Sequence, residues 1–378
     1  MRRIVIIGSG IVGAAIAYEL SSIPYCQVTL VDRQVPASGS TGAALGLLMG
    51  VVSQKTKGRG WRLRCQSLER YETLLPELES LTGESIPCNR RGLVKLLFAG
   101  DNWQKWEKLA AIRRDLGWEL QLWDLPTLQK YCPQIDRAIG AIYSPRDWQI
   151  DPAALTRTLV KAAQIRGVEC QFEVTIRDCL STPLEETENS LCTHIETTAG
   201  TLELDDLIVA AGLGSTPLSD RLKQPVEMRP VLGQALRLKL PHTLGNSDFQ
   251  PVITGNDVHI VPLGGGEYWL GATVEFADAA GEVTADPALF DQMRAEAIAF
   301  CPDLARGEIL RSWSGKRPRP EGQPAPIITR LPSYSNVFLA TGHYRNGVLL
   351  APATALAIRK LITTSPNFSQ EMERLTDN

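Results

Sequence analysis

The stretch IVIIGSGIVG, residues 4–13, decides the fold of this chain. Its first four residues are all β-branched, which is typical of a strand that is buried on both faces. The GxGxxG pattern of Gly8, Gly10 and Gly13 follows directly and opens a helix, and the next apolar strand ends at Asp32. This order of strand, helix and strand predicts the first unit of a parallel sheet that binds a dinucleotide.

The three glycines and the aspartate have separate roles in such a site. Gly8 permits the tight turn, Gly10 lets the pyrophosphate approach the backbone, and Gly13 lets helix and strand pack closely. The helix N-terminus offers unpaired N–H groups and the positive end of its dipole to the phosphates. Asp32 can accept hydrogen bonds from ribose hydroxyls. An aspartate at this position, followed by Arg33, disfavours a 2′-phosphate without excluding one.

The composition is that of an ordinary globular protein and favours a small-molecule partner. The 378 residues include 39 Lys and Arg against 42 Asp and Glu, a net charge of −3, and 44% are apolar. This near-neutral balance argues against nucleic acid, whose binding shows as clustered positive charge. The eight cysteines form no CxxC pair, so we expect free thiols, with no disulfide framework and no metal.

The N-terminal segment is compatible with two interpretations. Arg2 and Arg3 before an apolar, alanine-rich stretch are typical of a secretory signal, whereas the glycines of residues 8–13 favour strand, turn and helix. We adopt the second interpretation. No later apolar run reaches the roughly 18 residues of a membrane span, so we expect a cytoplasmic protein with no transmembrane segment.

Elements of the same α/β kind recur far along the chain. Asp-Pro at 151–152 predicts a helix start, and the apolar runs 207–211 and 337–341 predict further buried strands. Between them, residues 259–273 alternate like a strand-rich region, and the proline-rich segment 316–326 predicts a loop. We therefore expect an α/β chain whose dinucleotide-binding domain is discontinuous.

A second glycine-containing segment favours FAD over NAD. ATGHYRNGVL, residues 340–349, follows a predicted strand and opens a helix at the opposite end of the chain from the first fingerprint. A long cofactor held at both chain ends explains this better than NAD, whose site is usually contiguous. The alternative is that Gly342 and Gly347 only form a strand-to-helix turn.

Five segments together resemble the glycine oxidase branch of the D-amino acid oxidase family of FAD-dependent oxidoreductases. They are the fingerprint 8–13, STGAA at 40–44, AAG at 210–212, GKRP at 315–318 and GHYRNGVLLAPAT at 342–354. The resemblance covers nearly the whole chain, and its last segment is the most specific.

The resemblance implies the domain organisation. A Rossmann-like FAD-binding domain would combine residues 1–83, 140–225 and 327–378. A substrate-binding domain with a mixed or antiparallel sheet would combine residues 84–139 and 226–326.

The resemblance also implies the activity. It implies that a small amino acid or amine, such as glycine, sarcosine or a D-amino acid, is oxidised to the imine and then to the keto acid, with release of ammonia or amine. The flavin would be reoxidised by O2 to give H2O2, a role in thiamine synthesis is implied, and relatives often form homo-oligomers. FAD would be non-covalent, because 315–322 lacks the cysteine to which sarcosine-oxidase relatives attach their flavin.

Two other functions stay open at this point. An amino acid dehydrogenase would pass the electrons to a quinone or a carrier protein. A flavin-bound assembly or scaffold protein would have no turnover.

Three residues are candidates for contact with the substrate. The resemblance implies that Arg317 grips the substrate carboxylate and that Arg345 lies beside the flavin, although Arg317 could instead be a surface arginine. His259 stands where glycine oxidases have a tyrosine, and Leu263 replaces the arginine that follows it. His259 could donate to a carboxylate or take a proton from a substrate ammonium, or it could be a strand histidine with no role in the site.

The predicted cofactor-binding residues cluster in the same segments. They are Gly8, Gly10, Ile11, Val12, Gly13, Asp32, Arg33, Ser40, Thr41, Ala44, Gly46, Leu47, Ile176, Ala211, Gly212, Gly342, His343, Arg345, Asn346, Gly347, Val348 and Leu349.

Overall fold

The computed structural model describes residues 1–184, 189–365 and 368, and strands dominate its element order. The strands are β1 (Arg2–Ile7), β2 (Cys26–Asp32), β3 (Leu47–Leu48), β4 (Cys88–Asn89), β5 (Leu93–Leu97), β6 (Gln121–Asp124), β7 (Gly140–Ser144), β8 (Trp148–Ile150), β9 (Glu169–Phe172), β10 (Ile176–Pro183), β11 (Ser190–Thr197), β12 (Gly200–Glu203), β13 (Asp206–Val209), β14 (Met228–Lys239), β15 (Val252–Gly255), β16 (Val258–Gly264), β17 (Glu267–Gly271), β18 (Glu275–Phe276), β19 (Glu308–Pro320), β20 (Ile327–Arg330) and β21 (Val337–Thr341).

Helices connect and cover these strands. The α-helices are α1 (Ile11–Leu20), α2 (Gly58–Thr82), α3 (Trp103–Asp115), α4 (Leu125–Tyr131), α5 (Pro152–Ile165), α6 (Ser215–Arg221), α7 (Pro287–Phe300) and α8 (Gly347–Thr363). Short 3-10 helices span Gly212–Gly214, Pro302–Arg306 and Tyr344–Asn346. In the part of the chain that the structure describes, none of the helices is long and apolar enough to span a bilayer.

A six-stranded sheet brings the two ends of the chain together. Its order is β20-β21-β13-β1-β2-β9, and every neighbouring pair is parallel except β20 with β21. The carboxyl ends of β1, β13 and β21 therefore lie side by side, although these strands come from the start, the middle and the end of the sequence. The predicted fold class is confirmed.

A larger mixed sheet forms the second layer. Its order is β18-β14-β17-β16-β15-β5-β7-β6, with β19 paired to β14. β15 and β5 are parallel, whereas the other pairs are antiparallel. The domain boundaries stay a proposal. Strand β7 belongs to this sheet although the proposed division places it with the FAD-binding segments, and residues 369–378 of the last segment lie outside the described residues.

The proline-rich segment 316–326, which we predicted to be a loop, is partly a strand. Its first five residues continue β19, where Pro318 stands opposite Pro230. β19 is an edge strand that pairs with β14 alone, and one side of an edge strand needs no N–H donors. The prolines are therefore tolerated, and Arg317 lies on a paired strand rather than on a free loop.

A large apolar core packs around the six-stranded sheet and includes α1. Ala14, Ala17 and Leu20 of α1 are fully buried. Trp106, Trp118 and Trp123 are also buried within this chain, at 5–9% exposure. Core packing therefore accounts for them.

Two buried charged residues hold the loop 50–55 from opposite sides. The Asp147 carboxylate accepts three successive backbone N–H groups of residues 50–52, at 2.7–2.8 Å. The Arg113 guanidinium donates to three carbonyls between Val51 and Lys55, at 2.6–2.8 Å, and lies 3.6 Å from the centre of the Trp61 ring. Burial raises the pKa of Asp147 to about 6. Two side chains that are far apart in sequence therefore provide hydrogen-bond partners for three N–H groups and three carbonyl groups of this loop.

Replacing Asp147 with asparagine should lower the free energy of unfolding. An amide has one acceptor oxygen, so at least one buried N–H of residues 50–52 loses its partner, at a cost of about 1–3 kcal/mol. Urea denaturation at pH 8, where the carboxylate is ionised, measures the change. Asp115→Asn, at an exposed position of α3, is the control and should shift stability by no more than about 0.5 kcal/mol. Equal stabilities of the two variants would contradict this account of the loop.

Candidate functional site

The carboxyl ends of β1, β13 and β21 border one cavity, which we call the main cavity. Its volume is about 780 Å³. Gly8, Ala211 and Gly342 each follow one of these strands, and all three line it. The position agrees with the rule that ligands of parallel sheets bind beyond the carboxyl ends of the strands.

Glycine is required at the first turn because backbone atoms approach one another there. Gly8 has φ +112°, and an added Cβ would lie 2.5 Å from the Ala210 carbonyl oxygen. A Cβ at Gly13 would collide with the Gly8 carbonyl. Gly10 is the N-cap of α1 and offers no side-chain cap. The start of α1 is thus left open toward the main cavity, which Gly10, Ile11 and Val12 line.

Asp32 is placed beside this turn by the parallel pairing of β1 and β2. Its Oδ2 accepts from the Ser9 backbone N–H at 2.6 Å and from the Ser9 hydroxyl at 2.9 Å. Its Oδ1 accepts from the Gln34 N–H at 2.9 Å. Asp32 and Arg33 both line the main cavity, so a carboxylate lies within the same space as the helix N-terminus.

The loop 40–47 covers the next part of the main cavity and is tied to β19. The Ser40 hydroxyl donates to the Lys316 carbonyl at 2.6 Å, and Trp313 Nε1 donates to the Ala43 carbonyl at 3.1 Å. Thr41 Oγ1 accepts from the Ile11 N–H at 3.1 Å. These bonds join the first helix, the loop and the edge strand into one wall.

The C-terminal segment supplies a second helix N-terminus. Gly342 has φ +66°, and α8 begins at Gly347 with no side-chain cap from Asn346. His343 is buried, and its Nε2 lies 2.9 Å from Thr354 Oγ1. Burial lowers the pKa of His343 to about 3, so its imidazole is neutral and supports the turn.

Arg317 presents a guanidinium without an acidic partner. Its Nη1 donates to the Leu232 and Thr273 carbonyls at 3.0 and 3.2 Å. No carboxylate of the described residues lies within 4 Å of it, and Glu275 is bonded instead by Gln234 and the Asp286 N–H. Burial, and then the nearby Arg345 charge, lower the pKa of Arg317.

The space for this guanidinium depends on a glycine. An added Cβ at Gly233 would collide with the Arg317 side chain. Gly233 and Arg317 both line the main cavity. The guanidinium therefore lies directly over Gly233 of β14 and borders the main cavity.

His259 lies where two cavities meet. The second one, the side cavity, has a volume of about 790 Å³ and shares Leu47, His259 and Arg345 with the main cavity. Only 8% of His259 is exposed, and its Nδ1 has no hydrogen-bond partner within the described residues. Burial, together with the charges of neighbouring cations, lowers the pKa of His259 to about 3. The imidazole is thus neutral near pH 7, and it is a poor base.

Arg345 lies at the junction of the two cavities and lines both of them. Its Nη1 lies 3.7 Å from Asp257 Oδ2, and its side chain is 36% exposed. Arg345, Arg317 and His259, which the sequence places in three separate segments, all line the main cavity. The structure thus brings the three candidate substrate contacts together.

Most of the predicted cofactor residues line the main cavity, and four do not. Gly13 lies beneath the turn, Asn346 lines only the side cavity, and neither Ile176 nor Leu349 lines either cavity. Ile176 and Leu349 are instead packed in apolar clusters.

Several lining residues were not predicted. They include Gln34, Leu45, Leu232, Gly233, Ala272, Arg311, Trp313, Ser314 and Tyr344. The motif at 315–318 marks the neighbourhood of three of them, Arg311, Trp313 and Ser314. Nothing in the spacing of Leu232, Gly233 or Ala272 indicates a site, because they reach it only through strand pairing. The described residues include no group of His, Cys, Asp and Glu that could hold a metal ion.

Comparison with known proteins gives a family and several relatives. A family model described as DAO, FAD dependent oxidoreductase, matches residues 3–361. The bifunctional protein ThiO/ThiG of a Nostoc species is 30% identical over 367 residues, 96% of this chain and 52% of that protein. The glycine oxidase of Geobacillus kaustophilus is 28% identical over 362 residues, 95% of this chain and 92% of that protein. The chain thus spans about half the length of the bifunctional relative.

A solved structure agrees with these matches. The crystal structure of glycine oxidase from Geobacillus kaustophilus has a TM-score of 0.83 to this chain at 26% identity, covering 96% of this chain and 95% of that one.

The ionisation of His259 can be tested by NMR of protein labelled with ¹⁵N-histidine. With a pKa of about 3, the imidazole binds a proton only in strong acid, so its signals should show the neutral form throughout pH 5–8. The spectrum of His259→Gln assigns the resonances. A His259 signal that titrates between pH 5 and 8 would contradict a buried, neutral imidazole.

Proposed function

The chain belongs to the family of FAD-dependent oxidoreductases, and we propose that it oxidises a small amino acid or amine, with glycine, sarcosine or a D-amino acid as substrate. The substrate loses two electrons and two protons to become an imine. Water then hydrolyses the imine to a keto acid and releases ammonia or an amine. Transfer of the electrons to O2, giving H2O2, is part of the proposal.

FAD is the cofactor of this family, and the main cavity fits it. Gly10 and Asn346 each leave a helix N-terminus without a side-chain cap at the cavity, where phosphate or another anionic group is favoured. We assign Asp32, which lines this cavity, to the ribose hydroxyls, and the loop 40–47 would lie along the cofactor. When bound, FAD supplies the two-electron acceptor for oxidation of the C–N bond.

The observation that carries the proposal is the partly buried guanidinium of Arg317, which has no acidic partner within 4 Å among the described residues. A desolvated cation is costly unless an anion approaches it. Arginine binds carboxylates through two parallel N–H donors, so we assign the substrate α-carboxylate to Arg317. The role of the protein is then mainly orientation, which is the main requirement when a cofactor supplies the chemistry.

We propose His259 as a hydrogen-bonding residue rather than a base. A group with a pKa of about 3 does not take a proton from an ammonium near neutral pH. The amine would then lose its proton to solvent before oxidation. Arg345, at the edge of the same space, would contribute positive charge beside the carboxylate.

The departure at Leu263 does not weaken this assignment. Leu263 is 36% exposed and lines neither cavity. A lost substrate site, as in a flavin-bound scaffold protein, therefore gains no support from that position.

The use and location of the reaction are further parts of the proposal. If glycine is the substrate, the imine of glyoxylate is formed, and we propose thiamine synthesis as its use because of the resemblance to glycine oxidases. Seven of the cysteines are free thiols, which is typical of a reducing compartment and supports a cytoplasmic enzyme. They are Cys65, Cys88, Cys132, Cys170, Cys179, Cys192 and Cys301.

Anaerobic mixing with glycine, sarcosine and a panel of D-amino acids tests the reaction. Loss of the oxidised flavin absorbance with at least one of them is the expected result, and the rates rank the substrates. Admitting O2 and measuring H2O2 then distinguishes an oxidase from a dehydrogenase. A yellow protein that no amine bleaches would contradict the proposal.

Replacing Arg317 with methionine should raise KM for carboxylate substrates. Loss of a hydrogen bond to a charged group costs about 1.5–3 kcal/mol, or roughly ten- to a hundredfold in binding. Steady-state kinetics measure the effect, and retained flavin absorbance shows that FAD still binds. Arg319→Met is the matched control, because Arg319 lies two residues along the same strand, is exposed and lines neither cavity. An unchanged KM in the Arg317 variant would contradict the assignment.

A further inference from the structure

The side cavity carries more positive than negative side chains. Its charged lining residues are Arg64, Lys95, Lys105 and Arg345 against Asp101 and Asp257. It adjoins the main cavity at Leu47, His259 and Arg345, which is the end where we place the substrate. A substrate held there by Arg317 would therefore extend into a cationic space that is far larger than glycine requires.

The two acidic residues do not neutralise this space. Asp257 lies 3.7 Å from Arg345, and Asp101 accepts from the Phe98 N–H at 2.8 Å. Within the described residues, no carboxylate lies within 4 Å of the Lys95, Lys105 or Arg64 side chains. These three cations therefore line the side cavity without a directly paired carboxylate among the described residues, although the buried Asp147 lies near enough to act on Arg64.

Arg64 is the most desolvated of the three. Its Nη1 donates to the Gly60 carbonyl at 2.8 Å, and its Nη2 lies 3.4 Å from Asn346 Oδ1. Its Nε is buried and has no hydrogen-bond partner in the described part of the chain. Lys95 is half-buried on β5, with Nζ 5.9 Å from the centre of the Trp106 ring. Such partly desolvated cations favour an anion in the space that they surround.

We propose that the side cavity binds a second carboxylate of the substrate. The preferred substrate is then an amino acid that carries this carboxylate on its side chain or on its nitrogen substituent. The inference rests on the proposed function, because Arg317 must hold the α-carboxylate at the junction. The distal carboxylate then lies between Lys95, Lys105 and Arg64, and a neutral group of the same shape is disfavoured.

The first experiment compares charged and neutral substrates of nearly equal shape. One pair is D-glutamate and D-glutamine, and the other is iminodiacetate and its monoamide. We expect kcat/KM to favour the charged member of at least one pair by tenfold or more, and the preference to fall as salt is added. The pair with the larger preference shows whether the carboxylate is attached through the α-carbon or the nitrogen.

Charge-removing variants locate the effect. Lys95→Met and Lys105→Met should each reduce the preference threefold or more. Lys108→Met is the control, because Lys108 lies on the same helix as Lys105, is exposed and does not line the cavity. Its preference should equal that of the parent enzyme.

A binding measurement keeps this inference separate from the reaction. Calorimetric titration of the FAD-loaded enzyme should show glutarate binding at least tenfold more tightly than butyrate, with the difference lost in a Lys95→Met/Lys105→Met double variant. Equal oxidation of both members of each pair, with no advantage for glutarate, would overturn the second-carboxylate site and leave the proposed function standing. Tight glutarate binding without oxidation of any amine would support the anion site and overturn the proposed reaction.

Discussion

The structure depends on the close backbone approach at the first strand-to-helix turn. Gly13 packs against the Gly8 carbonyl so closely that an added Cβ would collide with it, and Gly8 in turn packs against Ala210. Because these atoms touch, α1 begins directly beyond the end of β1 and beside β13. β21 joins the same edge from the far end of the chain. Two helix N-termini whose cap residues provide no side-chain bond therefore share a single cavity with the Asp32 carboxylate.

The second constraint is electrostatic. Arg317 is held against Gly233 by the pairing of β14 with β19 and bonds only to carbonyl groups. His259 is kept neutral by burial and by the cations around it. The substrate end of the main cavity is therefore lined by the donors Arg317, Arg345 and His259. The carboxylate of Glu275, which is buried nearby, is bonded by Gln234 and the Asp286 N–H. Such an environment favours an anionic ligand.

The sequence predicted the parts of the site that are local. Gly8, Gly10 and Asp32 form a pattern within one strand-helix-strand unit, and the C-terminal strand and helix around Gly342 were readable for the same reason. The part of the edge strand that carries Arg317 was predicted to be a loop. Prolines are compatible with a loop and with an edge strand, and only the pairing with β14 distinguishes the two. The low pKa of His259 and the side cavity result from packing between segments that are distant in sequence. The hydrophobic periodicity of the sequence does not predict such packing.

The central claim is that FAD fills the main cavity and that the substrate carboxylate binds Arg317 at the junction with the side cavity. A crystal structure of the FAD-loaded protein with bound acetate tests it most directly. The account predicts the flavin ring between the loop 40–47 and the C-terminal turn, with acetate in hydrogen-bond distance of Arg317 and near His259. Acetate bound elsewhere, or an Arg317 side chain covered by the cofactor, would contradict it.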